Sequence, residues 1–227
     1  MRFVVLVMAA IVVKTALVQA QEKSAFEKDS TGWIDLLPHK DLKNWKRVGL
    51  DQGLQETSPW SVNGDVLVCQ GAPSQGAGAK EMLLYDRSFT DGVFHLECRF
   101  PPQKGKQDYN SGAYVRSLDG RVWHQIQIAH LDTPPFVGDL FGDLNVNGKT
   151  ERVIIRGDGP DYVNPPGQWN TFEIMARDKE ITVWLNGHST LAWKECAVKK
   201  GMVGVQCEFF NVEFRNLKFK PTEFRVD

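Results

Sequence analysis

The stretch YNSGAYVR at residues 109–116 is followed after a short turn by WHQIQI at residues 123–128. Apolar and polar residues alternate in both segments, which is the pattern of neighbouring strands with one buried and one exposed face. The polar set contains Arg, Gln and aromatic side chains, residue types that stack on sugar rings and bond sugar hydroxyls. One face of the predicted sheet is therefore a candidate binding surface.

The same alternation recurs along most of the chain. In residues 94–100 the apolar residues share one face, and His95, Glu97 and Arg99 share the other. Residues 172–177 and 181–185 repeat the pattern, and Asn186-Gly187 supplies the pair favoured in a tight hairpin turn. Short strands bounded by Gly, Pro, Asn and Asp predict an all-β fold, an antiparallel sandwich or barrel.

Residues 1–20 have the features of a signal peptide. Arg2 precedes the apolar run Phe3–Val13, and small residues close the segment at Val18-Gln19-Ala20. The apolar run is too short to span a bilayer. We therefore expect an exported protein, periplasmic or extracellular, with no membrane contact once the leader is removed. Residues 21–227 contain no linker-like composition and are predicted to form a single domain.

Composition excludes several classes of protein. The chain has 27 Lys and Arg against 28 Asp and Glu, without a basic patch, which argues against a nucleic-acid partner. No phosphate-binding glycine loop precedes a helix. Four cysteines lack the C-x-x-C spacing of zinc sites, and they allow three disulfide pairings or a set of buried thiols. They are Cys69, Cys98, Cys196 and Cys207.

Two segments, residues 103–108 and 132–166, are rich in Pro, Gly and Asp and resist assignment to strands. Long irregular loops in a small domain are often functional, so we expect them to wall a site over the sheet. Acidic residues in such loops can hold a divalent metal such as calcium, although none follows EF-hand spacing. The acidic loop residues are Asp139, Asp143, Asp158 and Asp161.

Strand phase defines the candidate binding residues. With apolar side chains facing the interior, Arg116 joins the exposed face, in phase with Gly112. A close neighbour or a ligand would use the space that Gly112 leaves. Glu97 and Arg116 could instead form a structural ion pair, since cross-strand pairs of opposite charge are common. The predicted substrate-binding residues are Tyr114, Trp123, Gln125, Gln127, Gln206 and Glu208.

Several motifs together point to a known family. They are WIDLL at 33–37, DLKNW at 41–45, WSVNGD at 60–65, NSG at 110–112 with Arg116, QI at 127–128, GQWN at 167–170, LNG at 185–187, GVQ at 204–206 and FRN at 214–216. In this order they resemble the 3-keto-disaccharide hydrolase domain family. The resemblance implies a concanavalin A-like jelly-roll sandwich whose curved sheet presents a concave, sugar-facing surface.

The resemblance also implies a chemistry, the cleavage of glycosides oxidised at carbon 3. The ketone acidifies the proton on carbon 2, so a base can remove it and expel the group on carbon 1. Such a route needs a base and a stabiliser of the enolate. We expect Arg116 to be the stabiliser, and the candidates for the base are Glu97, His130, Asp132 and Glu208.

This chain departs from the family at one position of that expected site. Members commonly carry a Glu in the run that corresponds here to residues 124–128, and this chain has Gln125. An amide cannot accept a proton as a base. A non-catalytic carbohydrate-binding module on the same fold is therefore the alternative to a hydrolase or lyase. His130 and Asp132, just beyond the strand, are the nearest substitutes for the carboxylate.

Overall fold

The computed structural model describes residues 23–50, 53–71, 79–103, 105, 108–118, 122–131, 134, 136–146 and 149–222. For residues 143–151 and 153 within this part, only the backbone is described. The predicted signal peptide and Asp132 lie outside the described residues. No helix within the described ranges is long and apolar enough to cross a membrane.

Two antiparallel sheets form a sandwich, which confirms the predicted fold class. The first, which we call the back sheet, contains β1 (Ile34–Asp35), β3 (Trp60–Asn63), β4 (Val66–Gln70), β6 (Gly92–Arg99), β11 (Asn170–Arg177), β12 (Glu180–Leu185), β13 (His188–Trp193) and β15 (Asn211–Pro221). The second, the cleft sheet, contains β2 (Trp45–Gly49), β5 (Lys80–Tyr85), β7 (Tyr109–Leu118), β8 (Val122–His130), β9 (Leu140–Val146), β10 (Lys149–Ile155) and β14 (Met202–Glu208). Two short helices, α1 (Ala25–Lys28) and a 3-10 turn (Gly159–Asp161), complete the described elements.

The strand orders fix which residues can meet. The back sheet runs β13-β12-β11-β6-β15-β4-β3, with β1 pairing the far part of β15, and the cleft sheet runs β10-β9-β8-β7-β14-β5-β2. Consecutive strands β7 and β8 are neighbours, but β14 lies between β7 and β5, which are distant from it in sequence. The centre of the cleft sheet is therefore assembled from three separate parts of the chain.

The core lies between the sheets and follows the alternation read from the sequence. Phe94 and Leu96 of β6 are fully buried from the back sheet, and Ile126 and Val205 are fully buried from the cleft sheet. Burial of these apolar side chains is the main favourable contribution to folding, roughly 25 cal/mol per Å² removed from water. All four cysteines are buried free thiols.

The hairpin turn predicted at Asn186-Gly187 joins β12 to β13. Both residues have positive φ, +51° and +85°, as a two-residue turn with both central residues left-handed requires. Asn186 also holds the turn in place, because its amide donates to the Asn170 Oδ1 at 2.9 Å. The turn fixes the register of β12 and β13 at one edge of the back sheet.

Candidate functional site

An open cleft of about 530 Å³ lies on the outer face of the cleft sheet. Its floor is formed by β7, β8 and β14, and β5, β9 and β10 contribute to its sides. All the substrate-binding residues predicted from strand phase line it: Tyr114, Trp123, Gln125, Gln127, Gln206 and Glu208. Strict alternation along β8 explains the outcome, since Ile126 and Ile128 turn into the core.

The absence of a side chain at Gly112 leaves room for Gln125 to pack across the floor of the cleft. A Cβ atom at Gly112 would lie 2.4 Å from the Gln125 Nε2 and 2.5 Å from its Cδ, so the Gln125 side chain occupies the space above this residue. The space left by Gly112 is thus filled by a close neighbour from β8. Gln125 is consequently only 1% exposed although it belongs to the outer face of the sheet.

Four amide side chains form a connected network across this floor. The Gln125 Nε2 donates to the Gln127 Oε1 at 3.2 Å and to the Gln206 Oε1 at 3.0 Å. The Gln127 Nε2 donates in turn to the Asn110 Oδ1 at 2.8 Å. Amides offer donors and acceptors but do not accept a proton at neutral pH. The centre of the cleft is therefore polar, fixed in orientation and neutral.

Gly112→Ala tests the packing of this floor. We expect the new methyl group to displace Gln125, break its bonds to Gln127 and Gln206, and lower the free energy of unfolding by about 1–3 kcal/mol. Urea unfolding measures the change. In a Gln125→Ala background the same substitution should cost much less, because the clashing side chain is absent. Equal costs in the two backgrounds would show that Gln125 does not lie over Gly112.

One end of the cleft is apolar and aromatic. Tyr114 and Trp123 meet edge to face with ring centroids 6.0 Å apart, and Trp123 meets Phe141 in the same way at 5.9 Å. Met82, Leu84 and Met202 belong to the same apolar cluster. Burial raises the pKa of Tyr114 well above its ordinary value, with the charge of Glu208 adding to the effect, so its phenol stays protonated at neutral pH.

The cleft also carries charged side chains. Lys80 and Glu208 pair directly across β5 and β14, with the Lys80 Nζ 3.5 Å from the Glu208 Oε1. Both side chains are partly exposed, at 23% and 18%. The Arg152 guanidinium lies 5.4 Å from the centroid of the Trp123 ring and also lines the cleft. Sequence alternation identified Glu208 but missed Lys80, Asn110, Phe141 and Arg152.

Arg116 is not on this face, and the prediction that it would be exposed there is wrong. The register of β7 and β8 shifts between Val115 and Leu118. Arg116 in this irregular part has φ +49°, a left-handed conformation that turns its side chain away from the face predicted by alternation. Arg116 is buried, with 2% of its surface exposed, and its guanidinium bonds to groups at the edge of the sandwich. The Nη1 donates to the Asp178 and Val198 carbonyls, and the Nη2 lies 3.0 Å from the Asp91 Oδ1.

Glu97 is also elsewhere, so the prediction that places it with the other site residues is wrong. It lies on the outer face of the back sheet, where its carboxylate accepts from Arg215 at 2.7 Å and from Asn216 at 2.6 Å. The suggested ion pair with Arg116 does not form, because each residue has a different partner. His95 and Arg99 lie on β6 with Glu97 and likewise bond within the back-sheet face.

His130, a candidate for the base, does not line the cleft either. It ends β8 in the phase of Ile126 and Ile128, and it borders a water-sized hollow with Cys98 and Phe100 at the rim between the sheets. The expectation that His130 substitutes for the missing carboxylate at this cleft is therefore not met. Of the four candidates for the base, Glu208 is the one that the described residues place in the cleft.

Asp139 is one of the loop carboxylates that are candidates for a calcium site, and its carboxylate instead bonds to neighbouring groups of the protein. It is fully buried and accepts from the Phe136 and Gly157 backbone N–H groups at 2.9 and 3.0 Å, with Arg156 as its ion-pair partner. Across the described part of the chain no three His, Cys, Asp or Glu side chains are grouped so that they could hold a metal ion. Neither the cleft nor these loops thus shows a built metal site among those residues.

Known structures share this architecture at low sequence identity. A presumed glycosyl hydrolase from Parabacteroides distasonis matches with a TM-score of 0.60 and 19% identity over 89% of this chain and 99% of that one. A carbohydrate binding module from Bacillus subtilis matches with a TM-score of 0.53 and 13% identity over 77% and 93%. Lectin II from Ulex europaeus matches with a TM-score of 0.51 and 14% identity over 83% and 97%. At these identities the likeness shows a shared sandwich fold.

No curated protein matches the sequence. The family comparison is more informative, because residues 32–220 match the model of the 3-keto-alpha-glucoside-1,2-lyase-like domain. The match extends from β1 nearly to the end of β15 and includes every strand that forms the cleft. The chain therefore belongs to the 3-keto-alpha-glucoside-1,2-lyase-like domain family.

Proposed function

We propose that this protein is exported to the periplasm or the cell exterior and cleaves glycosides that carry a ketone at carbon 3. The observation that supports the proposal best is the arrangement of one open cleft. It joins an aromatic end, a fixed amide floor and a carboxylate paired with a lysine. Pockets for sugars combine these elements, because rings stack on apolar faces and amides bond hydroxyls.

Glu208 is the base in this proposal. Among the described residues that line the cleft it is the carboxylate, and the Lys80 Nζ lies 3.5 Å from its Oε1. Lys80 and Arg152 take the role of cation that Arg116 cannot fill from its buried position. Positive charge near the reacting centre stabilises an enolate as it forms.

The proposed reaction is an elimination followed by hydration. The carboxylate of Glu208 takes the proton from carbon 2, and the electrons of that bond form an enolate with the ketone at carbon 3. The enolate then re-forms the ketone and a carbon 1 to carbon 2 double bond, and the leaving oxygen takes a proton from the protonated Glu208. Addition of water across the double bond gives the free 3-keto sugar, so the net result is hydrolysis.

A carbohydrate-binding module is the second candidate, and one observation favours it. Gln125 lies at the centre of the floor, and the N–H groups of its neutral amide donate to Gln127 and Gln206. A site with this centre can hold a sugar without acting on it. The shared fold with a carbohydrate binding module is consistent with this alternative.

Turnover and binding measured on the same preparation separate the two candidates. The pure protein is incubated with 3-keto-trehalose and with a 3-keto-glucoside, with and without added divalent metal, and products are followed by NMR. We expect release of the leaving group. Sugar binding by calorimetry without any release would support the module, and absence of both binding and release would refute both functions.

A further inference from the structure

Tyr114 carries an unused hydrogen-bonding group at the cleft. Its side chain is fully buried, and its phenol oxygen has no hydrogen-bond partner in the part of the chain that the structure describes. None of the other described residues that line the cleft has a buried polar atom in this condition. Burying a hydroxyl without a partner is costly, so such a group in a folded protein calls for an explanation, and a catalytic role is one of them.

The surroundings of this phenol decide what it can bind. The ring is held edge to face against Trp123, and Met82, Leu84 and Met202 around it offer no strong acceptor. The phenol remains protonated because burial and the nearby charge of Glu208 both raise its pKa. It is therefore a fixed donor in a dry environment, where a hydrogen bond to a developing negative charge is strongest.

We propose that Tyr114 is a further catalytic residue, whose hydroxyl donates a hydrogen bond to the ketone oxygen at carbon 3 of the substrate. This inference rests on the proposed function. A ketone oxygen accepts but cannot donate, which matches a donor without neighbouring acceptors. The acidic proton at carbon 2 is on the atom next to the ketone, and Glu208 extends from β14, the strand beside β7. One strand thus supplies the base and its neighbour supplies the donor.

The hydrogen bond changes in strength during the reaction. As Glu208 takes the proton from carbon 2, electrons move to the oxygen on carbon 3, and the hydrogen bond from Tyr114 strengthens. When the group on carbon 1 leaves, that charge returns to the ring and the ketone is restored. Tyr114 keeps its proton throughout. Its contribution therefore appears mainly in kcat, since it is larger in the transition state than in the bound substrate.

Tyr114→Phe tests the inference by removing only the hydroxyl. We expect kcat on a 3-keto-glucoside to fall roughly 100-fold, the usual cost of losing one oxyanion donor, with a much smaller rise in KM. Calorimetry should show that the wild type prefers the 3-keto-glucoside to the unoxidised glucoside and that the variant has lost this preference. The midpoint of thermal unfolding should stay the same or rise, because the hydroxyl has no partner in the free protein.

Tyr109→Phe is the matched control on the same strand. The Tyr109 oxygen points to the other side of β7 and accepts from the Gln103 N–H at 2.9 Å. This variant should lose stability and keep the kinetics and the preference for the ketone. The inference is wrong if Tyr114→Phe retains both kcat and the preference, whatever its stability. If the wild type neither binds nor cleaves the 3-keto-glucoside, the proposed function is refuted, and so is the inference that rests on it.

Discussion

We expect Glu208→Gln to lower kcat on a 3-keto-glucoside by on the order of 1,000-fold and to leave the affinity for the sugar nearly unchanged. The reason is that Glu208 is the carboxylate which the described residues place in the cleft, and an amide of the same shape cannot take the proton from carbon 2. Removal of a general base typically costs about 100-fold to 10,000-fold in rate. Steady-state kinetics and calorimetry on the same variant measure the two quantities separately.

Glu97→Gln is the control for this prediction. Glu97 pairs with Arg215 on the outer face of the back sheet, so its neutralisation should leave kcat unchanged. The pair is partly exposed and contributes little to stability. Normal turnover in Glu208→Gln, or a loss of turnover in Glu97→Gln, would show that the base has been assigned to the wrong sheet.

We expect Arg116→Ala to lower the free energy of unfolding by about 3 kcal/mol and to leave the proposed sugar binding intact. The guanidinium is buried at the edge of the sandwich and joins Asp91 to the carbonyls of Asp178 and Val198. Its removal takes one donor from each of these acceptors and opens a cavity beside His124 and Cys196. Urea unfolding and a sugar titration of the refolded variant test the two halves of the prediction.

Arg99→Ala provides the comparison, because Arg99 is 37% exposed and its partner Glu213 is 20% exposed. An exposed pair of this kind contributes at most about 1 kcal/mol, so the loss should be clearly smaller than for Arg116. If Arg116→Ala unfolds at the wild-type urea concentration but no longer binds sugar, Arg116 belongs to the binding site and the structural role given to it is wrong.

Alternation predicted the cleft residues correctly where the strands are regular. Gln125 and Gln127 lie in the middle of β8, in register with β7 from Tyr109 to Val115, so the period of two holds and both face outward. Arg116 follows directly after this regular part. The left-handed φ and the register shift there turn the Arg116 side chain to the other face of the strand. The sequence contains no Gly or Pro at this position that would have indicated either feature.

Two other differences between the sequence prediction and the structure arise from the pairing of strands that are distant in sequence. Alternation tells which face of its own strand a residue occupies but not which sheet the strand joins, and a sandwich has two outer faces. Alternation therefore correctly predicts that Glu97 lies on an outer face, but this face belongs to the back sheet and not to the cleft sheet. Lys80 was missed because it meets Glu208 only through the pairing of β5 with β14, which are more than a hundred residues apart. The family motifs predict the sandwich, but they do not tell which residues of distant strands pair with each other.

Transfer of solvent deuterium to carbon 2 tests the elimination route most directly. The protein is incubated in D₂O with a 3-keto-glucoside, beside a sample without protein that corrects for spontaneous exchange, and the released sugar is analysed by NMR. The account predicts a product that carries deuterium at carbon 2, formed by the wild type and not by Glu208→Gln. A released sugar that retains its original proton at carbon 2 would contradict it, because the bond to carbon 1 would then have broken without removal of that proton.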